Sequence, residues 1–290
     1  YEEELSNTRA AITRFQQLYS IGTGGDYNYA DSQVLFHKAF DLVDVVSGKG
    51  SGLTQTVRRT PVIQLNRTVN LESSVIGDGY RAYIVAEAGL NHNGDLKLAK
   101  QLVDSALAVG CDAIKFQTFS KNSRISSKVK GVKYAETVIG LEETLHEMFS
   151  RLAMPFAEQQ ELFDYAREKR IEIFSTPFDS ESVEFLESVD TRFYKIASVD
   201  LVNLPLIKQV AATGKPILLS TGMATLGQIE EAVDEVRNQG NPNLILLHCN
   251  SSYPSALREM NLSVIRNLKR IFGVPVGLSD HTFGLFAAHT

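Results

Sequence analysis

From Tyr80 onward, short apolar runs alternate with stretches of helical period, and this alternation restricts the fold more than any other feature of the 290-residue chain. The runs are Ala82-Tyr-Ile-Val-Ala, Ala113-Ile-Lys-Phe-Gln, Ile171-Glu-Ile-Phe-Ser, Phe193-Tyr-Lys-Ile-Ala, Pro216-Ile-Leu-Leu-Ser, Leu244-Ile-Leu-Leu-His and Val274-Pro-Val-Gly-Leu. Near-continuous apolar runs mark parallel strands whose outer face is covered by helices. Between them, Leu96, Ala99, Leu102, Val103, Ala106 and Leu107 make one apolar stripe, and Gly110 stands where the chain would leave a helix. Thr225 and Gln228 form a capping-box pattern ahead of Ile229, Ala232, Val233 and Val236, and Gly240 supplies the stop. Seven strand, loop and helix units predict an α/β fold, a (β/α)8 TIM barrel truncated before the eighth strand. An open doubly wound sheet is the alternative.

The remaining segments read differently. Residues 1–60 predict a helical N-terminal extension or the tail of an upstream domain, with helical stretches Arg9 to Tyr19 and Ser32 to Val46. Thr23-Gly-Gly-Asp between them follows a helix and lacks a Lys-Ser/Thr ending, so it reads as a turn and not as a phosphate loop. Residues 61–290 form the incomplete barrel domain, entered through a β-hairpin (Pro61 to Leu65, then Leu71 to Ile76). Ser120 to Gln160 is polar, with a helical stretch from Leu141 to Leu152, and predicts an elaborated loop at the active-site end. The chain starts without Met and stops inside the apolar segment Phe283 to Thr290, as a fragment would.

Composition removes whole classes of function. With 29 Lys+Arg against 34 Asp+Glu and no basic cluster, the chain lacks the cationic face that nucleic acid requires. No apolar run approaches the roughly 20 residues of a membrane span, and no secretory signal is present, so a cytoplasmic protein with no membrane partner is expected. In such a compartment Cys111 and Cys249 are expected to be free, buried thiols.

In a parallel barrel, chemistry sits at the C-terminal ends of the strands. There the chain places Glu87 with Asn91 and His92, Lys115 and Gln117, Ser175 and Thr176, Lys195 and Ser198 with Asp200, Ser220 and Thr221, His248 with Asn250, Ser251 and Tyr253, and Ser279, Asp280 and His281. Two lysines within strand patterns are the sharpest signal, because an unpaired buried ammonium is costly. One such lysine reads equally well as a structural salt bridge. Both together, with Thr176, Ser198 and Ser220 converging, describe an anion site for a phosphate or carboxylate. Glu87 reads as a general acid/base or as the lysines' ion-pair partner. His92 orients Glu87 or caps the next helix, and His248 reads as a hydrogen-bonded core residue. His281 could serve as metal ligand, base or support.

Six motifs share one family resemblance: Ile84-Val-Ala-Glu-Ala-Gly-Leu-Asn-His-Asn-Gly-Asp, Lys115-Phe-Gln-Thr, Phe174-Ser-Thr-Pro-Phe-Asp, Tyr194-Lys-Ile-Ala-Ser, Leu219-Ser-Thr-Gly-Met and Gly277-Leu-Ser-Asp-His-Thr. In this order the chain resembles the N-acetylneuraminate (sialic acid) synthase family. The resemblance implies condensation of phosphoenolpyruvate with an N-acyl hexosamine, N-acetylmannosamine or a relative, to a nine-carbon 2-keto sugar acid, with release of phosphate. It implies Lys115, Thr176, Lys195, Ser198, Ser220 and Ser279 for phosphoenolpyruvate, and Gln117, Asp200 and Tyr253, together with Glu87, facing the sugar. Glu87 and His281 are the implied catalytic residues. It also implies Mn2+ or Mg2+ with His281 as a ligand, and a homodimer. Asp200 stands where some relatives carry Glu, and the residues between His248 and Tyr253 depart from the family pattern, which leaves the acyl-hexosamine open. The second metal histidine and a C-terminal antifreeze-like domain would follow Thr290, so this piece alone is expected to turn over poorly. A Schiff-base aldolase and a catalytically silent, anion-binding barrel are the alternatives.

Overall fold

The computed structural model describes residues 63–71, 74–120, 145–284 and 286–289. The expected helical segment 1–60, its turn at Thr23 and the middle of the long loop after Thr118 lie outside them. Seven parallel strands run in sequential order in one sheet: β3 (Val85–Gly89), β4 (Ala113–Thr118), β5 (Glu172–Pro177), β6 (Tyr194–Ile196), β7 (Ile217–Ser220), β8 (Leu244–Cys249) and β9 (Val276–Ser279). The helices between them are α1 (Leu96–Ala108), α2 (Leu145–Leu152), α3 (Phe156–Lys169), α4 (Ser180–Ser188), α5 (Leu204–Ala211), α6 (Leu226–Asn238) and α7 (Ser263–Phe272), with α8 (Phe286–His289) after β9. Sequential order excludes the open doubly wound alternative, in which strand order reverses at a switch point.

Local signals behave as the sequence predicts. Asp95 caps α1 by accepting from the Leu98 amide, and Gly110 follows it at φ 76°. The Thr225/Gln228 capping box forms, and Gly240 ends that unit at φ 75°. Two boundaries move. The hairpin pairs β1 (Thr68–Leu71) with β2 (Ser74–Gly77), so Ile63 and Leu65 lie ahead of it and not in its first arm. The stretch read as loop as far as Gln160 includes the start of α3, because Pro155 at the N-cap has no amide to satisfy and suits a helix entry.

Alternation along the strands builds two apolar layers. Outward residues (Ile114, Phe116, Ile173, Tyr194, Ile196, Ile217, Leu219, Leu244, Leu246) pack with helix residues such as Val103, Leu162, Leu186, Ile207 and Val233. Inward residues Ala113, Phe174, Phe193, Leu218 and Ile245 come from five consecutive strand segments yet form one cluster with Val69 and Leu71 of the hairpin, which only a curled sheet allows. The hairpin closes this floor from below. Its lead-in is tied to the turn before β8 by the Asn66 amide donating to the Pro242 carbonyl (2.9 Å) and by an Asn66–Asn243 side-chain bond (2.8 Å). No helix among the described residues is long and apolar enough to cross a membrane. Both cysteines are free thiols, Cys249 buried and Cys111 partly so.

Candidate functional site

Above the apolar floor the same inward rows turn polar. Lys115 pairs in register with Phe174, and Lys195 with Leu218, so the two ammonium stems rise directly from the floor. Lys115 is 4% exposed. Its Nζ lies 3.0 Å from Glu87 Oε1 and donates to Thr176 Oγ1 at 3.0 Å, which satisfies a cation that could not otherwise be buried. Glu87 is well exposed at the mouth, beside a β-bulge that shifts register before Gly89. Gly89 stands at φ 53°, and a Cβ there would lie 3.1 Å from Glu87 Oε1 and 3.6 Å from Gln117 Nε2. The positive φ and that crowding both call for glycine, and they bring Gln117 and Glu87 to one corner.

Lys195 sits deeper. Burial, and then the neighbouring Lys115 charge, pull its pKa down from 10.5 to about 8, against the opposing pull of Glu87, Cys249 and Asp200. Ser220 is fully buried, and its Oγ has no hydrogen-bond partner. A hydroxyl left unsatisfied at the end of a strand, on the same inward face as the lysines, is suited to an incoming anion. Ser198 accepts from the Gly222 amide at 3.0 Å. A Cβ on Gly222 would come within 2.7 Å of Ser251 Oγ, 2.9 Å of Ser198 Oγ and 3.1 Å of the Cys249 carbonyl, so only glycine fits this cradle. Asp200 is buried in the turn Ser198–Asp200, where Asn203 Nδ2 donates to its Oδ1 at 3.4 Å.

The far rim is built by β8 and β9, where Cys249 pairs with Ser279. His281 Nδ1 lies 2.6 Å from the Asn250 carbonyl and 3.8 Å from Cys249 Sγ, while Nε2 lies 3.0 Å from Tyr253 Oη. Tyr253 stacks on the imidazole at 4.0 Å between centroids, held there because the Ser255 amide donates to the His281 carbonyl (2.8 Å). Burial pulls the His281 pKa down, but the Cys249 and Asn250 hydrogen bonds outweigh it and the net shift is upward. For Cys249, burial pushes up, while hydrogen bonds with His281 and Ser198 and the charges of His281 and Lys195 bring the thiol below its usual range.

The structure brings Glu87, Lys115, Gln117 and Thr176 to one side of the mouth, and gathers Ser198, Cys249, Ser279, Tyr253 and His281 near Lys195 and Asp200 on the other, whereas Ser175 turns to the outer face. Two histidines stand apart. His92 does not meet Glu87 in any hydrogen bond described: its Nδ1 accepts from the Gly94 amide at 3.0 Å, and burial lowers its pKa against the pull of Asp95. His248 Nε2 lies 2.6 Å from the Met260 carbonyl, the supporting role expected of it. Sequence reasoning missed Cys249 and Gly222 as wall residues. The signal for Cys249 was its even spacing from Ile245 and Leu247, which puts it on the inward row.

The sequence pattern of the NeuB family matches residues 102–290. The chain belongs to the NeuB family. This NeuB-family chain is 42% identical over 207 residues to the N,N'-diacetyllegionaminic acid synthase of Campylobacter jejuni, covering 71% of this chain and 62% of that protein. It is 39% identical over 201 residues to the pseudaminic acid synthase of Helicobacter pylori, covering 69% and 59%. Its fold matches the crystal structure of the N-acetylneuraminic acid (sialic acid) synthetase of Leptospira borgpetersenii in complex with citrate, with a TM-score of 0.66 at 33% identity, over 77% of this chain and 73% of that one. The chain spans about three fifths of the length of the two curated relatives.

Proposed function

We propose that this chain provides the phosphoenolpyruvate-binding barrel of a sialic-acid-type synthase, in which C3 of phosphoenolpyruvate bonds to the aldehyde carbon of an N-acyl hexosamine, water adds to C2 and the C–O bond to phosphate breaks, leaving the 2-keto acid and free phosphate. One observation carries the reading: two lysines, Lys115 and Lys195, rise from an apolar floor into a mouth that also holds a buried, unpartnered Ser220 hydroxyl. Phosphoenolpyruvate carries up to three negative charges, and preorganised cations and hydroxyls both hold it and stabilise charge as its C–O bond to phosphate breaks. Lys115, Thr176, Lys195, Ser198, Ser220 and Ser279 are its proposed partners. The family membership and the names of the relatives support a sugar partner, met by Gln117, Asp200 and Tyr253 at the rim.

Glu87 takes the proton-handling role. Its carboxylate is open to solvent while one oxygen is held on Lys115, so it can accept or return a proton at the mouth without leaving its place. The lysines act as charges and not as nucleophiles, which separates this reading from a Schiff-base aldolase.

The divalent ion implied by the resemblance does not fit the described residues as they stand. Among them no group of three or more His, Cys, Asp or Glu side chains converges, and both ring nitrogens of His281 are engaged, by Asn250 and Tyr253. No step is assigned to a divalent ion. Cytoplasmic location and a homodimer belong to the same proposal.

The test is twofold. Calorimetry of the chain with phosphoenolpyruvate is expected to give one site that Lys115→Met weakens by about 100-fold or more. Phosphate release by the complete enzyme is expected only when phosphoenolpyruvate and N-acetylmannosamine or a diacylated relative are both present. A lysine adduct trapped by borohydride with pyruvate would instead establish the aldolase.

A further inference from the structure

A second polar cluster lies on the outer face of the strands that carry the anion site. Side chains alternate along β4 and β5, so Lys115, Gln117 and Thr176 turn inward while Thr118 and Ser175 turn toward the helices. There Thr118 Oγ1 lies 2.8 Å from Gln159 Oε1 and 2.7 Å from Ser175 Oγ, and Gln159 Nε2 donates to the Met154 carbonyl at 2.8 Å. Gln159 is 4% exposed, and Thr118 and Ser175 are completely buried. The Met154 carbonyl can only accept, which turns the Gln159 NH2 toward it and the Gln159 oxygen toward Thr118. Thr118 gives its single proton to that oxygen, so the Ser175 hydroxyl donates to Thr118. One arrangement satisfies every group, and removing a member strands buried donors and acceptors.

The position of this chain of bonds gives it a role. On the inner face Lys115 reaches across to Thr176; on the outer face Thr118 reaches across to Ser175, so the same strand pair is tied from both sides. The outer tie continues to the turn between α2 and α3, through Gln159 of α3 and the Met154 carbonyl. Gly94, in the loop after β3, packs against the end of α2: at φ 77°, a Cβ there would fall 2.8 Å from the Arg151 carbonyl. The loop that follows Glu87 and the strands that carry Lys115 and Thr176 therefore converge on one turn, residues 151–155.

We propose that Gln159 is a positioning residue of the anion site. Through Thr118 and Ser175 it clamps the ends of β4 and β5 on the turn between α2 and α3, and so keeps the Lys115 ammonium within reach of Glu87 and Thr176 together. The role rests on the reading of that mouth as the phosphoenolpyruvate seat.

The experiment titrates phosphoenolpyruvate into the full chain by calorimetry. Gln159→Leu removes both bonds at similar volume, Thr118→Val removes the hydroxyl at constant shape, and Thr118→Ser keeps it. Gln159→Leu and Thr118→Val are each expected to weaken binding about tenfold, the scale of a small displacement of a binding group. Thr118→Ser is expected to stay within about twofold of the unaltered chain, and the Gln159→Leu/Thr118→Val double variant to bind no more weakly than either single variant. In the complete enzyme the loss falls on KM for phosphoenolpyruvate, with KM for the sugar unchanged, which general loosening of the fold would not produce. If Gln159→Leu fails to fold, Thr118→Val carries the same test. Both variants folded and binding with unaltered affinity would overturn the positioning role and leave the site reading intact. Lys115→Met binding as tightly as the unaltered chain would overturn the site reading, and the role with it.

Discussion

The lower and upper halves of the barrel interior are made by the same strands and differ in every physical respect. Below, Ala113, Phe174, Phe193, Leu218 and Ile245 pack on Val69 and Leu71 of the hairpin, and the contribution is apolar burial. Above, two residues further along several of the same rows, Lys115, Thr176, Lys195 and Ser220 hold charge and hydroxyls at a cost to stability. The lesson is that the floor makes the mouth reactive. A closed apolar base excludes water from below, so Lys195 is desolvated and loses its proton more readily than a surface lysine.

Substitutions can separate the halves. Phe174→Ala is expected to have the largest effect, lowering the unfolding free energy by about 3–5 kcal/mol as a buried aromatic ring is lost, read by denaturant unfolding. The molecules that remain folded are expected to bind phosphoenolpyruvate nearly as before. Lys115→Met reverses the pattern. Binding is expected to weaken by about 100-fold or more, with little change in melting temperature, because the Glu87 carboxylate left behind is solvated. A melting temperature that fell as far as in Phe174→Ala would break the distinction between floor and mouth.

Smaller effects sharpen it. Lys195 carries its charge below about pH 8 and loses it above. If the charged form is the one that binds, affinity for phosphoenolpyruvate is expected to fall about tenfold between pH 7 and pH 9, and Lys195→Met to flatten that slope. The sign for folding is opposite. A lysine whose folded pKa is depressed opposes folding below that pKa, and the opposition fades as pH rises from about 8 to 10.5. Gly222→Ala, which must displace Ser198, Ser251 or the Cys249 carbonyl, is expected to weaken binding about tenfold, as a small misplacement of binding groups would. Unchanged affinity in that variant would remove the cradle from the site.

Much of this was legible in the chain of residues. Parallel strands buried on both faces read as apolar runs, and a lysine inside such a run stands out because burying it unpaired is so unfavourable. That is why Lys115 and Lys195 were found as a pair, and why the capping box at Thr225 and the stop at Gly110 could be read locally. The hairpin begins later than the apolar run at Ile63 to Leu65 suggests, because Leu65 is apolar for packing in the layer between strands and helices and not for pairing. For His92 the sequence leaves two roles, orienting Glu87 or capping the next helix, and its nitrogen serves the turn at Gly94 just ahead of that helix. The cluster of Gln159, Thr118 and Ser175 left no mark in the sequence. Its members are 41 and 57 residues from Thr118, and nothing about a lone Gln in a helix announces a buried partner.

The sequence alone determined the order of strands and helices, the inward polar row and the residues able to grip an anion, since these follow from periodicity and from the cost of burying charge. Only the tertiary structure decided that the hairpin plugs the floor, that Cys249 and Gly222 belong to the site wall, and that Tyr253 and Asn250 occupy both nitrogens of His281. Those facts depend on how far the sheet curls and which loops meet across it, and distance in space between residues far apart in the chain is not written in any local pattern.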